Sequence, residues 1–278
     1  MRDSTFTIPP SPPLVMGILN ITPDSFSDGG DYFTPDAAAA YALTMIAEGA
    51  DIIDIGGEST RPGARPIPAE EQLRRVVPVV RALRAQDQKI TISIDTRSAS
   101  VAKAAIESGA DVVNDVSALR DDAEMVDVVA ASGATVVLMH RRGSSVDMQD
   151  GGGPHYVDVI GEIAAFLSQR REFAVSRGID PSRIVFDPGL GFGKRVEHNL
   201  MILRQLDRIV ALGQPVLVGA SRKRFVGEVL GVDEPKKRLA GSLACAVMAA
   251  LAGAAILRVH DVRETVNAIR LCSAVHGG

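Results

Sequence analysis

Tryptophan is absent and aromatic residues make up only 4% of the 278 positions, which argues against base-stacking platforms and aromatic sugar clefts. No charge of one sign dominates. Thirty Lys and Arg stand against 34 Asp and Glu, a net of −4, so no basic footprint for nucleic acid is present. No apolar run reaches the ~18 residues that a membrane span needs. The first residues, MRDSTFTIPPSPP, lack the apolar stretch of a secretory signal. Cysteine is scarce: Cys245 and Cys272 lie in Ala/Leu-rich stretches without metal-ligand spacing, and are expected to be buried, reduced thiols of a cytoplasmic protein. What is abundant is ordinary globular material, 46% hydrophobic and 23% charged, which excludes a disordered chain. The length fits either two common domains or one large α/β domain.

Eight short apolar, β-branched runs recur along the chain. They are Leu14 to Asn20, Ala50 to Gly57, Lys89 to Thr96, Ala110 to Ser117, Ala134 to His140, Arg183 to Gly189, Pro215 to Ser221 and Ala254 to His260. Helical spacing lies between them, as at Pro35 to Glu48, Pro68 to Ala85, Ala99 to Ser108 and Ala123 to Ala131. Near-continuous apolar strands alternating with helices imply a parallel sheet covered on both faces. Eight units predict a (β/α)8 TIM barrel in one domain of about the usual ~250 residues. A doubly wound sheet is the rival, but the first strand ends in Asn20-Ile21-Thr22-Pro23-Asp24 rather than a Gly-rich dinucleotide turn. Gly49, Gly109, Gly133, Gly178, Gly213 and Gly253 follow helical stretches, where a left-handed residue ends a helix. Residues 1–13 read as a flexible tail, 14–278 as the barrel, and Arg141 to Pro154 as a mobile connection.

Barrel enzymes build their sites at strand C-termini, and those ends are where the polar residues fall. They carry Asn20; Glu58, Ser59, Thr60 and Arg61; Asp95 and Thr96; Asn114 and Asp115; His140; Asp187; Ser221, Arg222 and Lys223; Arg258 and His260. Asp95, Asn114, Asp187 and Lys223 suit a flat heterocycle with an amidine-like donor edge, since a carboxylate accepts two parallel N–H bonds. A structural ion pair among them is the plainer alternative. Arg258 and His260, two apart on one strand, share a face and with Asn20 predict an anion or metal–anion site. Mg²⁺ suits it, because that ion takes few protein ligands and completes its shell with phosphate oxygens and water. Two Gly/Pro-rich loops, Thr22 to Gly30 and Gly56 to Ala64, can close over a substrate. Gly189 to Lys194 fits no nucleotide-loop pattern, and no nucleophile–base set for covalent catalysis is assignable.

These segments are long enough to compare whole. GILNITPDSFSDGG, DIIDIGGESTRPGA, SIDT, NDVS, DPGLGFGK, GASRKRF and RVHDV together resemble the dihydropteroate synthase family, folate-pathway enzymes that sulfonamides target. The resemblance spans Leu14 to Val275. It implies condensation of a dihydropterin-methyl diphosphate with 4-aminobenzoate, with diphosphate leaving and Mg²⁺ assisting. It further implies a pterin pocket of Asp95, Asn114, Met139, Asp187 and Lys223. The diphosphate site would be Asn20, through the metal, with Arg61, Arg258 and His260. Phe26, Thr60, Pro62, Phe192 and Ser221 would hold 4-aminobenzoate. Asp28, Arg61, Lys223, Arg258 and His260 would act in catalysis. The family forms homodimers through barrel helices. A pterin-binding methyl-transfer module serving a corrinoid protein is the alternative, and a binding protein that keeps only the pterin pocket is a third possibility. The two complete loops and the SRKRF segment argue against the first; Arg258, His260 and Asn20 argue against the second.

Overall fold

The chain is described from a computed structural model covering residues 12–21, 34–58, 67–143 and 155–276. Eight strands form where the apolar runs lie: β1 (Leu14–Asn20), β2 (Ile52–Gly56), β3 (Thr91–Asp95), β4 (Val112–Asp115), β5 (Thr135–Met139), β6 (Ile184–Asp187), β7 (Leu217–Val218) and β8 (Ile256–Val259). All pair in parallel in the order β6-β5-β4-β3-β2-β1-β8-β7. A single bridge between Phe186 and Val216 joins the two ends. The result is the (β/α)8 barrel, and the doubly wound rival is excluded.

Helices α1 (Pro35–Ala47), α2 (Ala69–Gln86), α3 (Ala99–Glu107), α4 (Met125–Ser132), α5 (Val159–Ser176), α6 (Val196–Arg204), α7 (Leu206–Val210), α8 (Arg224–Leu230), α9 (Leu239–Leu251) and α10 (Val262–His276) surround it. Their ends obey local chemistry. Thr34 caps α1 by accepting from the Ala37 N–H, with Pro35 in the first turn, and Asp158 caps α5 through the Gly161 N–H. The six glycines that the spacing places after helices all have positive φ.

The pleat decides what each strand residue does. Val15, Leu19, Ile53, Ile55, Ile92, Ile94 and Val113 point outward into the main core under the helices. Met16, Ile52, Val112, Val137, Val185, Leu217 and Ile256 form a separate inner plug, one from every strand except β3. Two residues further along the same inward faces stand Asp54, Asn114, Met139, Asp187 and Arg258. The floor is therefore apolar and the mouth polar. At the floor end, buried Arg84 donates to Ile90 O (2.7 Å), Gly109 O (2.7 Å) and Asp111 (2.7 Å), stapling α2 to the strand entries.

Cys245 on α9 is buried, with its thiol pushed up to about 11 by burial. Cys272 on α10 is only half-buried, which corrects the expectation of two buried thiols; α10 is the last helix and one of its sides faces out. Among the described residues no helix is long and apolar enough to cross a membrane. Residues 1–11 of the expected tail, and 144–154 of the expected connection, lie outside the described residues.

Gly189 follows β6 with φ +69°, and a Cβ there would stand 1.9 Å from the His140 carbonyl oxygen. Gly213 has φ +87° with nothing within 4 Å. Gly189→Ala is therefore expected to cost ~3 kcal/mol or more in urea unfolding, through strain and backbone collision together. Gly213→Ala should cost only ~1 kcal/mol, the left-handed penalty alone. Equal losses would contradict this reading of the turn.

Candidate active site

Strand ends place charged and amide side chains in two clusters around the mouth. Arg258 on β8 spans the barrel, donating from Nε to Asp54 Oδ2 on β2 (2.6 Å) and from an Nη to Asp95 Oδ2 on β3 (2.8 Å). Asn114 on β4 donates its amide N–H to the same Asp54 Oδ2 (3.1 Å). That bond fixes the amide, so its carbonyl oxygen is the atom left for other partners. Burial pushes Asp95 up to about 7; Arg258 opposes this, and the nearby Asp54 carboxylate adds to it. Asp54 is fully buried and was not among the candidates from sequence, although a carboxylate inside the run Ile52-Ile53-Asp54-Ile55 was the available signal.

Opposite lies a second cluster. Asp187 ends β6 in register with Met139 of β5, and it accepts from the Gly189 N–H (2.6 Å). Burial raises its carboxyl above the ordinary range, while that amide and Lys223 oppose the shift. Lys223, just after β7, donates to Leu190 O (2.9 Å) and stands 4.0 Å from the centre of the Phe192 ring. Burial pushes its ammonium down to about 8. The Asp187 carboxylate is thus satisfied by a backbone amide, and the lysine by a carbonyl and a ring face, rather than by a simple pair.

At the β7–β8 seam Ser221 Oγ lies 3.1 Å from His260 Nδ1 and accepts from the His260 N–H (3.2 Å). Arg258 and His260 are held by different partners: the guanidinium by Asp54 and Asp95, and the imidazole by Ser221. Asn20 ends β1 half-buried. A Cβ on Gly56 would stand 3.5 Å from its amide oxygen and 3.8 Å from an Asp95 oxygen, so the missing side chain leaves that corner open. Asp115 turns away to accept from the Ser117 and Leu119 N–H groups (2.7 Å each) and shapes its own loop. Phe26, Asp28, Thr60, Arg61 and Pro62 lie outside the described residues.

A parallel barrel whose mouth gathers buried carboxylates, an oriented amide and two buried cations belongs to the enzymes that grip small polar heterocycles. The chain is a member of the pterin-binding enzyme family, whose profile, described as "Pterin binding enzyme", matches residues 16–260, and within it of the dihydropteroate synthases. It is 47% identical to the dihydropteroate synthase of Mycobacterium leprae, covering 96% of this chain and 95% of that one. For the Escherichia coli K12 enzyme identity is 45%, with 95% and 92% covered. The Xanthomonas albilineans dihydropteroate synthase solved with 4-aminobenzoic acid superposes with a TM-score of 0.89 at 48% identity, covering 96% of this chain and 94% of that one. The same organism's enzyme solved with 7,8-dihydropteroate gives 0.86 at 45%, with the same coverage.

Asp95 generates a pH signature. Its folded value of about 7 lies above the ordinary 3.8, so its contribution to stability is fully present at low pH and is lost as pH rises through about 7. Asp95→Asn cannot undergo that loss. The variant's melting temperature, measured against wild type, should therefore rise between pH 5 and pH 8; a flat or falling difference would contradict a buried, up-shifted carboxyl.

Proposed function

We propose that this chain is a transferase that joins a 7,8-dihydropterin-6-ylmethyl diphosphate to 4-aminobenzoate, giving 7,8-dihydropteroate and diphosphate. The observation that carries the reading is the inward polar layer above the apolar plug, in a chain 45% or more identical to dihydropteroate synthases across 92% or more of their length. That coverage also disfavours the corrinoid-linked methyltransferase alternative.

In this reading Asp187 and Asp95 accept the pterin's ring N–H and amino groups, and the oriented Asn114 oxygen adds a third acceptor. Met139 packs on the ring and Lys223 donates to ring acceptors. His260 and Arg258, with Arg61, face the diphosphate, and Ser221, Phe192, Phe26, Thr60 and Pro62 hold 4-aminobenzoate, with Asp28 near the reacting carbon. The C–O bond to diphosphate breaks as positive charge spreads from the methylene carbon into the electron-rich ring. The buried carboxylates of Asp95 and Asp187 favour that charge. The aryl amine then forms the C–N bond and releases a proton; placement, not a strong base, is what it needs.

Mg²⁺ fits the donor set in a limited way. Among the described residues no group of three or more His, Cys, Asp and Glu could cage a metal, whereas Asn20 offers one hard oxygen beside the open corner at Gly56. Such a single donor suits an ion completed by substrate phosphate and water, which when bound supplies charge neutralisation to the leaving group. A cytoplasmic location and pairing of two copies complete the reading. The exposed Met248 and Leu251 on α9, and Leu271 and Val275 on the adjoining α10, are an apolar surface that supports pairing.

The decisive assay supplies both substrates with Mg²⁺ and follows diphosphate release, and no release would overturn the reading. Asp187→Asn turns one acceptor into a donor facing a donor, and is expected to lower kcat/KM by ~2–4 kcal/mol in transition-state terms. His260→Ala should keep the wild-type melting temperature yet lose turnover and diphosphate affinity, read by calorimetry; unchanged diphosphate affinity would remove His260 from the anion site.

A further inference from the structure

The segment Gly189-Leu190-Gly191-Phe192-Gly193-Lys194 matches no phosphate-loop pattern, yet it is built around one of the most deeply buried cations in the protein. Lys194 is 5% exposed, and its ammonium sits where four acceptors converge. Gly189 O lies at 2.8 Å, Phe192 O at 3.1 Å, His140 O at 3.2 Å and His140 Nδ1 at 3.0 Å. An ammonium, with three N–H donors and no lone pair, suits such a set, although burial pushes it down to about 7. The imidazole stays an acceptor because burial, with Lys194 and Arg142 nearby, pushes it down to about 2.

On its other side the same turn meets the site. Leu190 O receives the Lys223 ammonium, and the Phe192 ring lies 4.0 Å from it. Asn199 holds the middle of the turn by accepting from the Gly191 N–H (2.7 Å). Asp95 and Asn114 stand on strands and make no contact with this turn, while Asp187, also on a strand, meets only its first residue through the Gly189 N–H.

We propose that Lys194 is a positioning residue: by tying the carbonyls of Gly189 and Phe192 to the end of β5, it sets the height of the Phe192 ring, and thereby the affinity for the aryl-amine substrate. This rests on the reading of Phe192 as an aminobenzoate contact. Removing the ammonium leaves buried carbonyls unpaired, so the turn must shift, while the strand-borne pterin contacts remain.

The test is steady-state kinetics of Lys194→Met and Lys194→Gln with each substrate varied, beside hydrogen exchange of the turn amides. Lys194→Met should raise the KM for 4-aminobenzoate about tenfold, the scale of one unpaired buried carbonyl, with little change in kcat and a clearly smaller rise in the KM for the pterin substrate, which keeps Asp95 and Asn114. Lys194→Gln, which returns two N–H donors, should recover most of it. Unchanged KM values, or equal rises for both substrates, would overturn the proposal. If Lys194→Met does not fold, Lys194→Gln and Asn199→Ala decide it: a selective rise in the 4-aminobenzoate KM supports positioning, and a uniform one refutes it. Wild type run in parallel separates the two readings, since its failure to release diphosphate condemns the activity and not the turn. In that case exchange at residues 190–193 decides: about tenfold faster in Lys194→Gln supports the proposal, and an unchanged rate overturns it.

Discussion

The guanidinium of Arg258, held between Asp54 and Asp95 inside the barrel, is the contact around which the mouth is arranged. Two carboxyl groups face one cation in a space almost closed to water. Burial there lifts the Asp95 carboxyl to about 7, against the pull of Arg258 and with a smaller push from Asp54. The geometry has further reach. Asp54 receives Arg258 and Asn114 on a single oxygen, so one buried carboxylate orients a cation and an amide from opposite walls. Its other oxygen, and the hydroxyl of its cross-strand neighbour Ser93, have no hydrogen-bond partner among the described residues. A pocket left undersatisfied in this way is prepared for a polar ligand rather than for maximal stability.

The two ends of the barrel make different use of charge. At the floor, the Arg84 side chain donates to the carbonyls of Ile90 and Gly109 and to the Asp111 carboxylate, holding α2 to the strand entries. At the mouth, Asp95, Asp187 and Lys223 are buried with pKa values moved toward neutrality. Such groups are poor staples, and their placement at strand C-termini is what a barrel enzyme requires.

Most of this was legible in the sequence. The eight apolar runs became the eight strands, trimmed by at most three residues at an end, because parallel strands buried on both faces leave an unbroken apolar signature. Position at a strand's C-terminal end then located Asp95, Asn114, Asp187 and Arg258 at the mouth. Asp54 escaped because it lies two residues short of its strand's end, inside an apolar run whose polar member reads as an interruption. Lys194 escaped because its meaning depends on three carbonyls from chain segments about fifty residues apart, and backbone acceptors leave no trace in side-chain patterns. That Arg258 and His260 take different partners within the protein was equally hidden. Two residues on one strand share a face, but a long arginine reaches across a barrel and an imidazole does not.

β7 has two residues in its ladder, and one bridge joins it to β6. The cylinder is therefore least firmly sewn along the edge that separates Asp187 from Ser221 and Lys223. The Lys223 ammonium crosses that edge to Leu190 O and the Phe192 ring, working as a clasp where the ladder is thin. Closure of the scaffold and shape of the substrate cleft are thus written into the same few atoms. Evolution or design that retunes this lysine for a new ligand alters the hoop strength of the barrel at the same stroke.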